Sequence, residues 1–158
     1  MSSFIFDAAG EQATARLGAA LAELLPDGAT LALCGTLGSG KTRLVQAIAE
    51  AAGVDRREVV SPTFVIIHEY QGRRPVVHID AYRLRDEGEF LDLGPDEYFE
   101  SDALVLVEWA DRVQGCLPRD RIEIHIDVTG ADSRRFEIVA VGGRYAEVVE
   151  GCSGRLAN

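Results

Sequence analysis

The chain is short of lysine: its 158 residues include 16 Lys and Arg together, and Lys41 is the sole lysine. It also lacks asparagine before Asn158. Guanine-specific nucleotide switches read their base with Asn-Lys-x-Asp, so no such motif exists here. Long apolar runs are missing too; the longest are strand-sized, such as Ala103 to Val107, which excludes a spanning helix. The start, Met-Ser-Ser-Phe-Ile-Phe-Asp, has neither the basic nor the apolar region of a secretory signal. Three cysteines, Cys34, Cys116 and Cys152, lack the spacing of a disulfide framework or a zinc site and suit a reducing cytoplasm. Positive charge is scarce overall. A formal net charge of −10, with 26 acidic residues, weighs against direct binding to a phosphate backbone.

Lys41 is placed where a lysine is hard to replace. Gly35-Thr36-Leu37-Gly38-Ser39-Gly40-Lys41-Thr42 matches the phosphate-loop pattern. A compact ammonium on a flexible stem reaches between β- and γ-phosphates, where a planar guanidinium fork fits poorly. The context agrees. Thr30 to Cys34 reads as a buried strand and Lys41 to Ala52 as a helix ended by Gly53. Strand, glycine-rich loop and helix N-terminus together aim backbone N–H groups and the helix dipole at an anion. Gly35, Gly38, Ser39, Gly40, Lys41 and Thr42 are the phosphate-site candidates, with Arg43 beside them.

The remaining pattern predicts an α/β fold: a three-layer P-loop NTPase-like domain with a mixed, partly parallel central sheet, one domain over residues 1–158. Phe4 to Phe6 is a short strand, and apolar residues at helical spacing mark Glu11 to Leu25 as a helix. Phe64 to Tyr70 and Pro75 to Ile79 read as neighbouring strands about a Gln71–Arg74 turn. Asp86 to Leu93 and Pro95 to Phe99 read as short acidic helices, and Ala103 to Val107 as a central strand covered on both faces. Arg121 to Val128 alternates, which predicts a strand at a sheet surface or edge, with Phe136 to Val141 pairing to it.

Four further sites fit a nucleotide machine. The Thr42 hydroxyl follows Lys41 directly, the position that binds Mg2+ in this motif. A second oxygen ligand is expected from a carboxylate at a strand end, and two compete: Asp80 after Val76–Ile79, and Glu108 after Leu104–Val107. One could hold the metal while the other positions the attacking water. Ser61-Pro62-Thr63-Phe64 stands where nucleotide switches carry a γ-phosphate-sensing threonine; the same tripeptide is also a common strand-entry turn. Trp109, the one tryptophan, adjoins Glu108 and reads either as core or as a nucleotide contact. His68, His78 and His125 lack ligand-like spacing and receive no role.

In order along the chain, the phosphate loop, Ser61-Pro62-Thr63-Phe64, His78-Ile79-Asp80-Ala81-Tyr82-Arg83-Leu84 and Val107-Glu108-Trp109 resemble the TsaE (YjeE) family. Its members are bacterial P-loop ATPases of tRNA threonylcarbamoyladenosine (t6A) biosynthesis, and the resemblance covers essentially the whole chain. It implies ATP as ligand and slow hydrolysis by the isolated protein. It further implies a TsaB–TsaD pair as partner, with tRNA met only indirectly through that complex. By motif match it implies Thr42 and Glu108 as magnesium ligands, Asp80 in the hydrolytic site, and Thr63 as the switch. Glu11 and Arg134 would lie near the nucleotide. Arg43 and Thr36 depart from the family's usual residues at those positions, and neither is a phosphate ligand. A small-molecule or nucleoside kinase shares the loop and the size, but the acidic segment from Asp86 to Glu100 has no arginine to serve a lid.

Overall fold

The computed structural model describes residues 2–36, 38–59 and 66–157. Leu37, the Ser61–Phe64 segment with Thr63, and the beginning of the expected Phe64–Tyr70 strand lie outside the described residues.

The phosphate loop is placed by a parallel core. Strands β2 (Thr30–Gly35), β4 (Pro75–Asp80), β5 (Leu104–Glu108) and β6 (Arg121–Val128) run parallel in the order β6-β2-β5-β4. Antiparallel strands extend both sides: β7 (Arg134–Val141) and β1 (Ser3–Ala8) beyond β6, and β3 (Ile67–Gln71) beyond β4. Among the described residues all seven strands join one sheet. β5 is buried at every position, as a continuous apolar strand with cover on both faces must be.

Helices α1 (Glu11–Leu24), α2 (Lys41–Ala51) and α5 (Ala146–Leu156) cover one face. Leu17, Leu21, Leu44 and Ile48 are fully buried against Leu31, Leu33, Leu106 and Ile124. Burying each such side chain stabilises the fold by about 1.5–3 kcal/mol. α1 and α2 pack at close range because residue 18 is glycine: a Cβ there would lie 2.5 Å from the Cβ of Ala47.

On the other face, α3 (Glu87–Leu91), α4 (Pro95–Phe99) and a 3₁₀ segment, Ala110–Cys116, enclose a second core around Val77, Ile79, Val105, Val107 and Phe90. The Asp86 side chain caps α3 by accepting from the Glu89 N–H at 2.9 Å. The acidic segment is thus anchored to the sheet by the fully buried Phe90.

This second layer covers β2, β4 and β5, with Ile67 of β3 packed at its margin. Of the two positions expected for β6, surface or edge, it takes the first: it lies between β2 and β7 with one face partly exposed. Its alternation arises because Ile122, Ile124 and Ile126 face the helices, while Glu123, His125 and Asp127 face the half that no helix covers. α5 is a helix that periodicity did not predict. No helix among the described residues is long and apolar enough to cross a membrane.

Candidate functional site

The site forms where β2, β4 and β5 end and α2 begins. β2 delivers Gly35 to the bend, and a Cβ there would meet Ser39 Oγ at 2.6 Å and the Ile126 carbonyl at 2.9 Å, so only glycine fits. Gly38 (φ 79°) and Gly40 (φ 107°) take left-handed backbone conformations, and Gly40 caps α2. The Ser39 N–H donates to the Thr36 carbonyl at 3.0 Å, closing the turn. From the far end of the chain, Arg134 Nε donates to the Ser39 carbonyl at 2.9 Å. Arg134 therefore contacts the loop backbone itself.

Lys41 is 5% exposed and folds back over the loop. Its ammonium donates to the carbonyls of Gly35 (2.7 Å) and Thr36 (2.9 Å) and to Ser39 Oγ (3.4 Å). All three donors are engaged. Burial draws its pKa below the ordinary lysine value, opposed by the carboxylates of Glu108, Asp111 and Asp80. Its charge also lies 3.8 Å from the centre of the Trp109 ring.

Trp109 is the one non-glycine residue with positive φ (59°) among the described residues. A left-handed conformation is uncommon for a bulky residue and is held here by its surroundings. The Tyr82 ring packs at 4.9 Å between centroids, and Arg112 lies over both rings while donating to the Tyr82 carbonyl. Trp109 packs against the second core, as the core reading expects, and it also lies against the loop lysine.

The two carboxylates have different surroundings. Glu108 is 2% exposed, and the Thr42 hydroxyl reaches both its oxygens, at 2.9 and 3.1 Å. Asp80 is its Cα partner across the parallel β4–β5 ladder but is half-buried at the surface of the site. Asp80 Oδ1 accepts the Tyr82 N–H at 3.0 Å. Burial holds the Asp80 carboxyl above the usual aspartate range against that N–H, and the Glu108 charge adds to the rise. The structure thus separates two candidates that the sequence left competing. Glu108 touches the loop threonine, whereas Asp80 stands beside the pair at the more open position.

Two remaining candidates meet beside α2. Glu11, the first residue of α1, forms an ion pair with Arg43, which also donates to Gln46 Oε1 at 3.1 Å. With Gly40 and Arg134 they line a cleft of about 250 Å3 next to the loop. On the opposite side of Gly35 and Thr36 a larger cavity, about 420 Å3, lies between the uncovered part of the sheet and the 3₁₀ segment. Cys34, Trp109, Glu123 and His125 belong to its walls. Of the candidate site residues, Gly35 and Trp109 line that cavity.

Sequence reasoning also passed over His78. It is fully buried, with Nε2 2.5 Å from Glu108 Oε2. The available signal was its period-two relation to Asp80; the missing information was the register that brings β4 beside β5.

The donor chemistry fits a hard divalent cation held jointly by protein and phosphate. Thr42 and Glu108 supply oxygens, and no cluster of three or more His, Cys, Asp or Glu side chains suited to a metal exists among the described residues. Magnesium at nucleotide sites commonly takes only one or two carboxylates, with phosphate and water completing its shell.

The chain is similar to known proteins both in sequence and in fold. Residues 8–136 match the family model described as "Threonylcarbamoyl adenosine biosynthesis protein TsaE". The chain is 45% identical over 140 residues to the tRNA threonylcarbamoyladenosine biosynthesis protein TsaE of Bacillus subtilis, covering 88% of this chain and 85% of that one. It is 41% identical to the TsaE protein of Streptomyces coelicolor over 82% of this chain and 92% of that one. The crystal structure of Bacillus subtilis YdiB superposes with a TM-score of 0.81 at 32% identity, covering 97% of this chain and 95% of that one. Sheet and helices are those of a shared fold, and the chain belongs to the TsaE family.

Proposed function

We propose that this protein binds and hydrolyses ATP with Mg2+, and that turnover serves threonylcarbamoyl transfer to adenosine 37 of tRNA by a TsaB–TsaD complex. The observation that carries the reading is the contact between Thr42 and Glu108 beneath a lysine-bearing phosphate loop. Family membership supports the role in t6A biosynthesis.

On this reading the loop amides and the α2 N-terminus hold the phosphates. Lys41 exchanges its loop carbonyls for β- and γ-phosphate oxygens, stabilising the charge that develops as the bond breaks. Thr42 and Glu108 hold the magnesium, which would neutralise phosphate charge when bound. Asp80 orients the attacking water and accepts its hydrogen bond. Glu11, Arg43 and Arg134 border the cleft assigned to the rest of the nucleotide, with Trp109 on the other side of the loop. Thr63 serves as the γ-phosphate-sensing switch.

Hydrolysis is favoured over transfer to a small acceptor because Phe90 packs the segment after Asp86 into the core, where a kinase would require a mobile, arginine-bearing lid. Turnover by the isolated chain is slow. Arg134 is engaged by the loop backbone and Arg85 by Glu89, so neither stands ready as an arginine finger. Such a group contributes about 10³–10⁵ in rate where present. The protein works in the cytoplasm and meets tRNA through its partners, in keeping with its net charge of −10.

The test is reconstitution. Threonylcarbamoyl transfer to tRNA is measured with a TsaB–TsaD pair alone, with this protein added, and with Lys41→Ala added. Multiple turnover only with the wild-type chain supports the reading. Equal turnover with Lys41→Ala, or ATP-dependent phosphorylation of a small acceptor by the chain alone, would overturn it.

A further inference from the structure

His78 occupies an interior position of β4, opposite Leu106 of β5, on the face covered by α2. The neighbouring positions on that face are Val76, Leu104 and Leu106, all fully buried. An imidazole there gives up its hydration, and packing alone is served better by valine or leucine. The polar contact it makes among the described residues is to Glu108, two residues beyond Leu106 on the same face, at 2.5 Å. A carboxylate oxygen accepts and does not donate, so the hydrogen belongs on Nε2. The other ring nitrogen, Nδ1, is buried with no hydrogen-bond partner among the described residues.

Two donors thus converge on one carboxylate. Thr42 reaches both oxygens of Glu108, while His78 takes Oε2 alone. A glutamate has three rotatable side-chain bonds, and one shared hydroxyl contact leaves its plane free to turn. The second contact, from a ring fixed by a core strand, removes that freedom.

We propose that His78 is a positioning residue for Glu108, holding the carboxylate in the orientation from which it accepts the Thr42 hydroxyl and presents an oxygen to the magnesium–nucleotide site. This rests on the reading that magnesium and ATP bind here. Partners that orient a metal ligand are commonly worth 10–100-fold in metal affinity.

The experiment replaces His78 by leucine, glutamine and asparagine. ATP binding to each purified chain is followed calorimetrically in EDTA and across a magnesium titration. His78→Leu should raise the magnesium concentration for half-maximal effect by about 10–100-fold and leave binding in EDTA unchanged. The amide nitrogen of glutamine reaches about as far as Nε2, so His78→Gln should recover most of the affinity. Asparagine ends near the position of Nδ1, so His78→Asn should not.

Unchanged magnesium dependence in folded His78→Leu overturns the proposal, as does equal recovery by asparagine and glutamine. If His78→Leu does not fold, the ring itself gives the answer. In the wild-type chain, ¹⁵N-labelled histidine should show the His78 hydrogen on Nε2, with a strongly downfield proton that Glu108→Ala abolishes. A ring with no hydrogen on Nε2 overturns the positioning role. That spectrum requires neither metal nor nucleotide. An intact downfield proton in a wild-type chain that does not bind magnesium-ATP overturns the functional reading, and with it the metal-directed part of the proposal.

Discussion

The Lys41 ammonium lies 3.8 Å from the centre of the Trp109 ring, on the side of the loop where the Gly35 and Thr36 carbonyls accept its hydrogens. The lysine that the motif assigns to phosphate is thereby coupled to the chain's one fluorophore of its kind. Transfer of Lys41 to phosphate oxygens removes a cation from the indole face. Saturable change of the Trp109 emission on adding ATP with Mg2+ is the expected outcome. Lys41→Ala should alter the starting spectrum and abolish the response. An emission spectrum unmoved by saturating nucleotide would leave Trp109 as packing alone.

Glu108 and Asp80 should separate by assay. Glu108→Ala leaves Thr42 and His78 facing a gap and should raise the magnesium required for ATP binding by at least about tenfold. Asp80→Ala should spare binding and lower hydrolysis by about 10²–10⁴-fold, the usual range for a group acting on the proton in flight. Parallel binding and turnover measurements decide it, and the reverse pattern would exchange the two roles.

Gly18 tests the packing that holds α2 in place. Alanine has the better helix propensity by about 1 kcal/mol. Its Cβ would nevertheless lie 2.5 Å from that of Ala47 and 2.9 Å from the Ala47 carbonyl carbon, which α1 can relieve only by moving. Gly18→Ala should therefore destabilise the fold by about 1–3 kcal/mol, read from the urea midpoint. A midpoint at or above that of the wild type would show that α1 shifts freely.

Burial pushes the Cys34 thiol up to about 11, with the Asp111 and Glu123 carboxylates adding to it. A raised folded-state value means that the neutral thiol stabilises the native state below its unfolded value of 9.0, and that this contribution is lost as pH rises through about 11. The stability difference between wild type and Cys34→Ala should shift against the wild type from pH 8 to pH 11. Urea midpoints at the two pH values measure it; a shift of opposite sign would mean that the thiolate is the favoured form. Alkylation of Cys34 at pH 8 should be slow, since only about one thiol in a thousand is ionised there.

What could be read from the sequence follows contiguity. Gly35 to Thr42 is one unbroken segment, so the strand, loop and helix start were legible together, and Ala103 to Val107 announced a central strand by composition alone. His78 was not legible as a partner of Glu108, because 30 residues separate them and only the β4–β5 register joins them. β6 alternates like an edge strand although it is interior, since alternation reports cover on the faces and carries no information about neighbours within the sheet. α5 contains Gly151 and Gly154, poor helix formers, and is fixed by packing: a Cβ on Gly151 would approach Leu24 of α1 at 3.3 Å.

The most direct measurement of the central claim is ATP turnover by the wild-type chain, Lys41→Ala and Lys41→Arg, each alone and with a TsaB–TsaD pair. Slow hydrolysis by the wild-type chain, marked stimulation by the pair, and loss of both in the two variants are expected of a partner-driven ATPase. The arginine variant fails because the β/γ position requires a point charge on a slender stem. Hydrolysis by Lys41→Ala close to the wild-type rate, or rapid wild-type turnover indifferent to the pair, would contradict it.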